Sequence, residues 1–192
     1  MRPLPFVWPY ALLYWAIFLW AFAPEFRIVR RADRAKTASD SKSLQVIVIG
    51  QGLANAAGFF VAFLPGMQSP HRLAMFYGGL IVLVAASLLR RHCFRMLGQS
   101  FTGDVRASAD QVVVQRGAYR LLRHPSYTAG ILLNTGVGIS LGSWASAGLM
   151  AVGSLAVYQY RMVVEERALA SVIGEPYREF MRTRKRLIPF VY

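Results

Sequence analysis

Residues able to do chemistry gather at two places in the chain. One is the segment GAYRLLRHPSY at 117–127, which carries Tyr119, Arg123, His124, Pro125, Ser126 and Tyr127; the other is Arg161 with Glu165 and Glu166. Arginines, a histidine and paired carboxylates can together bind an anion, hold a cation or move a proton. Arg161 and Glu165 are four residues apart and share a helical face, whereas Glu166 points about 100° away from it. Pro125 suits the first turn of a helix, so the backbone donors around Ser126 and Tyr127 form a positive helix end fit for a carboxylate or phosphate, flanked by Arg123 and His124. On residue types alone, the Arg161 trio fits a salt bridge at a membrane boundary as readily as a site, and His124 by itself fits a structural histidine better than a catalytic one. No metal site is expected: His71, His92 and His124 are scattered, and Cys93 is the single cysteine, which also excludes an intramolecular disulfide.

The elements that must position these groups are apolar. The chain has 192 residues, of which 55% are hydrophobic and 16% charged, yet its formal net charge is +13. That balance excludes an ordinary soluble domain. Five runs approach the roughly 20 apolar residues that a bilayer core takes in helix: residues 6–23, 44–64, 73–89, 127–141 (a short one) and 144–164. Only Gly142 and Ser143 separate the last two, which must therefore form a tight antiparallel hairpin. The two clusters at its open end are then neighbours in space.

The basic residues decide orientation. Six (Arg27, Arg30, Arg31, Arg34, Lys36, Lys42) follow the first run, seven lie between Arg90 and Arg123, and seven lie from Arg161 onward, so 20 of the 22 Lys and Arg fall on one side. By the positive-inside rule that side is cytoplasmic, with the N-terminus outside and the C-terminus in the cytoplasm. The charge therefore records membrane orientation, and a nucleic-acid partner is not needed to explain it.

Residues 90–124 form a cytoplasmic insert that starts as a helical continuation, RRHCFRMLG, and turns extended over 105–115 with a turn at 108–110. In the tail, Gly174 ends one helix and Pro176 opens another that runs to about Lys185. Gly130, Gly136, Gly138 and Gly142 mark the fourth run as a close-packing face. Gln51 and Asn55, four apart within the second, are expected to hydrogen-bond between helices, with the lining of a lipid entrance as the alternative. The first run is read as a span and not as a cleaved signal, because Pro24 would follow the AFA site and the run is too long.

The combination resembles the isoprenylcysteine carboxyl methyltransferase family and its phospholipid methyltransferase relatives. The family pattern falls on Gly117, Tyr119, Arg123, His124, Pro125, Tyr127 and Gly130, then Glu165 and Glu166, then Gly174, Tyr177 and Pro189. The likeness covers roughly residues 97–192; Ala118 departs from it, standing where many relatives have proline.

The resemblance implies an all-α integral membrane protein of about five transmembrane helices, one domain over 1–192. Three spans would occupy 1–90, and a cofactor-binding catalytic half 91–192 would form a pocket at the cytoplasmic face. It implies an S-adenosyl-L-methionine-dependent methyltransferase acting on a lipophilic acceptor, first of all the carboxylate of a prenylated cysteine, with a thiol, a phospholipid amine or another isoprenoid as alternatives. Cofactor binding is expected from Tyr119, His124, Pro125, Tyr127, Glu166 and Tyr177, where a tyrosine face suits the sulfonium. Arg123 and Arg161 are expected to hold the acceptor carboxylate, with Glu165 orienting Arg161. A thiol or amine acceptor would need Glu165 or His124 as base. A bacterial inner membrane is the expected location, membrane lipids the expected surroundings and no nucleic acid the expected partner. No G-x-G-x-x-G follows a strand, so a soluble dinucleotide-type half is not expected. The reading from a different class is a non-enzymatic membrane scaffold or transporter subunit, in which these charges are only interfacial salt bridges.

Overall fold

Away from water a backbone has to satisfy its own hydrogen bonds, and among the described residues the five long apolar runs are largely helical. The computed structural model describes residues 1–34, 41–98, 113–189, 191 and 192, and the side chains of all of these except 26–34 and 41–44. Among them are α1 (Tyr10–Arg34), α2 (Ser41–Ala62), α3 (Arg72–Leu97), α4 (Pro125–Ser140), α5 (Trp144–Val172) and α6 (Glu175–Thr183), with 3-10 turns at Leu4–Phe6 and Gly117–Arg120. No strand occurs among the described residues; Leu122 and Lys185 form an isolated parallel bridge. Among the described residues, two helices have the length and composition to cross a bilayer: α2 over Gln45–Ala62, mean hydropathy 1.5, and α3 over Arg72–Leu97, mean hydropathy 1.9. Tyr10–Glu25 is a shorter apolar stretch.

Small residues let α4 sit between α3 and α5. A Cβ added at Gly136 would lie 3.1 Å from the backbone nitrogen of Leu83, and one at Gly138 would lie 2.6 Å from Ala147 Cα. The hairpin turn has Gly142 at φ +76°, a conformation that favours glycine. Ser143 then caps α5 by accepting from the Ser146 amide at 3.3 Å. α2 packs on the outer side of α5: Ser146 Oγ donates to Gly58 O at 2.7 Å, and Gln51 Nε2 donates to Ser154 Oγ at 2.9 Å, the interhelical bond expected of Gln51.

Inside the bundle, Tyr14, Phe76, Leu83, Leu133, Val137 and Met150 form a buried core from α1, α3, α4 and α5. α1 carries on through Pro24, whose missing amide leaves the Trp20 carbonyl without its usual helical donor. Arg91 Nη2 donates to that carbonyl at 2.6 Å while its guanidinium lies over the Trp20 ring at 4.7 Å, so a residue counted in the sequence only for its charge also ties α3 to α1.

The helical continuation after residue 90 is present, since α3 runs to Leu97. The extended segment and turn expected at 105–112 lie outside the described residues, and 113–115 have no regular structure. The last helix ends at Thr183, two residues earlier than expected. The reason is pairing: Lys185 O and Arg186 O accept from the amides of Arg123 and His124 at 2.8 and 3.0 Å, which requires an extended tail.

Candidate active site

Two turns deliver the first cluster. Gly117 opens the 3-10 turn at φ +59°, a conformation that favours glycine, and a Cβ there would come within 2.6 Å of the His92 side chain on α3. Tyr119 is buried by that turn, and its burial pushes the phenol pKa well up. Arg123 and His124 then run beside the tail until Pro125 starts α4. Thr128 Oγ1 fastens the tail again by donating to Leu187 O at 2.8 Å.

Glu166, one-sixteenth exposed at 6%, gathers three basic side chains. Its Oε1 lies 2.8 Å from Arg123 Nη1 and 3.0 Å from His124 Nε2, and its Oε2 accepts from Arg186 Nη2 at 2.7 Å. Burial alone would raise the Glu166 carboxyl, but the hydrogen bonds from His124 and Arg186 and the positive charge around it outweigh burial and hold its pKa at about 2.

The second cluster lies beside the first. Tyr127 donates its hydroxyl to Glu165 Oε2, and Arg161, itself buried, reaches the same hydroxyl. The rings of His124 and Tyr127 stack at 5.3 Å and 10°, and those of Tyr127 and Tyr158 at 4.9 Å and 27°, so an aromatic column leads from the Glu166 cluster into the bundle. Tyr177 on α6 is buried, and its phenol pKa is raised by that burial and by the nearby carboxylates of Glu165 and Glu166. At the inner end of the column, Tyr158 joins α1, α2 and α4 in lining a cavity of about 280 Å³.

The sequence profile of the isoprenylcysteine carboxyl methyltransferase family matches residues 79–171. This is the stretch that contains His124, Tyr127, Arg161, Glu165 and Glu166. Over these residues, just under half of the chain, it is similar to that family.

Its similar proteins include protein-S-isoprenylcysteine O-methyltransferase B of Arabidopsis thaliana, 28% identical over 68% of this chain and 66% of the relative. The O-methyltransferase of the same name from Tribolium castaneum is 29% identical over 69% of this chain and 48% of the relative. A solved structure of the eukaryotic intramembrane Ras methyltransferase is similar in fold, with TM-score 0.60 and 23% identity over 94% of this chain and 63% of that one. The chain thus spans about two thirds or less of the length of the relatives it matches.

The structure brings together the residues expected to be catalytic or to bind the cofactor. Arg123, His124 and Glu166 form one group, and Tyr127, Arg161 and Glu165 the other, while Tyr119 and Tyr177 flank them and Pro125 begins α4. Two details differ from expectation. Both oxygens of Glu166 already hold basic partners, and Arg123 is one of them. The amides of Arg123 and His124 are occupied by the tail, and those of Tyr127 and Thr128 donate to His124 O at 3.0 and 3.2 Å, so the open set of backbone donors expected around Ser126 and Tyr127 is not found.

Sequence reasoning passed over Arg186, Tyr158 and the Arg90–Glu25 pair. Arg186 sits in a run of basic residues that looks like simple positive-inside charge. Arg90 is also 6% exposed and buried: its Nε lies 2.6 Å from Glu25 Oε1, and Nη1 donates to Ser126 O in the first turn of α4. Tyr158 offered a usable signal, lying three residues before Arg161 and so on the same helical face.

Proposed function

We propose that this chain is an integral-membrane methyltransferase that moves a methyl group from S-adenosyl-L-methionine to the carboxylate of a lipophilic, isoprenylcysteine-like acceptor. The chemistry takes place at the cytoplasmic ends of α4 and α5. In this reading α1 to α5 cross or enter the membrane as one domain, with the N-terminus outside. The inner membrane of a bacterium is the proposed location.

The observation that carries the proposal is the charge balance of the two adjoining clusters. Arg123, Arg161 and Arg186 face Glu165 and Glu166, three fixed positive charges against two negative, so an additional carboxylate completes the site.

The donor set fits the proposed methyl donor. Arg123 Nε is buried without a hydrogen-bond partner among the described residues, a donor suited to an amino-acid carboxylate. The tyrosines beside the clusters, Tyr119 and Tyr177, suit a sulfonium. S-adenosylmethionine, when bound, supplies an electrophilic methyl on that sulfonium. The protein's task is then position, because an in-line displacement is accelerated mainly by holding the reactants in near-attack geometry.

Roles follow from the contacts. His124, Tyr119, Tyr127 and Tyr177 bind the methyl donor beside the helix start at Pro125. Glu166, with both oxygens engaged, fixes Arg123, His124 and Arg186 relative to one another. Arg161 binds the acceptor carboxylate in a forked geometry, and Glu165 with Tyr127 sets its direction. An anionic carboxylate needs no base, so neither Glu165 nor His124 has to take a proton.

Calorimetric titration of the detergent-purified protein with the demethylated product S-adenosylhomocysteine tests the reading. Saturable binding is expected; a folded sample that gives no heat at high concentration contradicts it.

A further inference from the structure

After Leu187 the chain turns back onto the cluster around Glu166, and the proposed reaction makes no use of this turn. Backbone bonds close it: the amides of Leu187 and Ile188 both donate to Tyr192 O at 2.7 Å, and those of Val191 and Tyr192 donate to Ile188 O at 3.2 and 3.1 Å. Leu187 is buried, and its carbonyl accepts from Thr128 in the first turn of α4. The Tyr192 ring is thus placed by the backbone, without help from its hydroxyl.

The hydroxyl has a separate engagement. Its oxygen accepts from Gln159 Nε2 on α5 at 2.5 Å and from Arg186 Nη1 at 3.1 Å, while the Arg186 guanidinium lies 5.9 Å from the ring centre. The hydrogen bonds from Arg186 and Gln159 lower the Tyr192 phenol pKa from its ordinary value, because they favour the anionic form of the oxygen they meet. The other end of the same guanidinium, Nη2, donates to Glu166 Oε2 at 2.7 Å.

Arg186 is therefore gripped at both terminal nitrogens. Its Nε is buried without a partner among the described residues, and so is the Nε of Arg123, which sits on the other oxygen of Glu166. A guanidinium only donates, so two such nitrogens around one carboxylate call for an acceptor from outside the chain. Arg186 keeps 24% of its side chain exposed, and an ion pair open to water leaves a long side chain free to change geometry. A second fixed acceptor removes that freedom.

We propose that Tyr192 is a positioning residue of the methyl-donor site: its hydroxyl holds Arg186 on Glu166, so that Arg186 Nε, together with Arg123 Nε, donates to the anionic amino-acid end of the ligand. The inference rests on the proposed methyltransferase reading for the identity of the ligand, while the hold of Tyr192 on Arg186 can be read with no ligand present.

Tyr192→Phe removes the hydroxyl and keeps the ring and the closed turn. Calorimetric titration of the detergent-purified full chain with S-adenosylhomocysteine should show affinity about fivefold weaker, as for one lost hydrogen bond. The KM for S-adenosylmethionine should rise by the same factor, while the KM for N-acetyl-S-farnesylcysteine and the melting temperature stay near wild type, a split that general loosening of the tail would not give. In Arg186→Met, adding Tyr192→Phe should change affinity by less than about twofold, because the two side chains act as one unit. Without ligand, 4-hydroxyphenylglyoxal should modify Arg186 about threefold faster in Tyr192→Phe, read by mass spectrometry, with the exposed Arg178 unchanged as reference. Unchanged affinity in Tyr192→Phe, its full effect persisting in Arg186→Met, or unchanged modification of Arg186 overturns the inference. The single variant and the modification rates decide it if Arg186→Met does not fold. If wild type binds S-adenosylhomocysteine and Tyr192→Phe binds it equally, the inference falls and the methyltransferase reading stands. If wild type binds none, that reading falls, and the modification rate alone upholds or overturns the hold of Tyr192 on Arg186.

Discussion

His124 and Glu166, 42 residues apart in sequence, meet at 3.0 Å because the helical hairpin folds the foot of α5 against the start of α4. The pair joins the two sequence blocks, 117–127 and 161–166, into one site. Removing the carboxylate leaves Arg123, His124 and Arg186 without their shared counter-charge. Glu166→Ala should therefore cost about 3 kcal/mol in stability and weaken cofactor binding at least about tenfold, as expected for breaking a buried ion pair. Thermal unfolding and calorimetry on the same preparation check both effects.

The depressed pKa of Glu166 predicts the acid limb of stability. A carboxylate held at about 2, below its unfolded value of about 4.3, contributes stability that is fully present above pH 4.3. That contribution is lost as pH falls through the window from about 4.3 to about 2. Thermal unfolding followed from pH 6 down to pH 2.5 should show a steeper decline for wild type than for Glu166→Gln, which has no proton to bind.

Arg161 is buried on the inner face of α5, beside the Tyr127 hydroxyl. If it holds the acceptor and not the cofactor, Arg161→Ala should lower turnover by about a hundredfold while S-adenosylhomocysteine affinity changes by less than about threefold. Arg161→Lys should recover little, because an ammonium cannot reproduce the two-pronged contact. Steady-state rates set beside binding constants separate the two effects.

The hairpin makes a purely structural prediction. Gly138 has the Ala147 backbone within 2.6 Å of any added Cβ, whereas Gly148 has nothing within 4 Å. Gly138→Val should destabilise by about 3 kcal/mol or more, and Gly148→Ala should stabilise slightly, by up to about 1 kcal/mol, through helix propensity. Melting temperatures of the two variants in detergent decide it.

Much of this arrangement is legible in sequence. Long apolar runs locate the helices, and the two-residue link at Gly142 and Ser143 alone brings Arg123 and His124 close to Arg161 and Glu166. What stays hidden has physical reasons. The tail of Lys185 and Arg186 pairs with Arg123 and His124 through backbone groups, which have no side-chain signature. Arg186 on Glu166 and Arg90 on Glu25 are written in the same letters as positive-inside charge, so only burial distinguishes them. Tyr158 reads as one more aromatic in an apolar helix until its ring is seen stacked on Tyr127.

Transfer of labelled methyl from S-adenosylmethionine to N-acetyl-S-farnesylcysteine, with matched thiol and amine acceptors alongside, tests the central claim most directly. The account predicts label in the farnesylcysteine product as a carboxyl ester, released by mild alkali, and its loss in Arg161→Ala. Label only in the thiol or amine acceptors, or in none with a sample that binds S-adenosylhomocysteine, would contradict carboxylate methylation by this site.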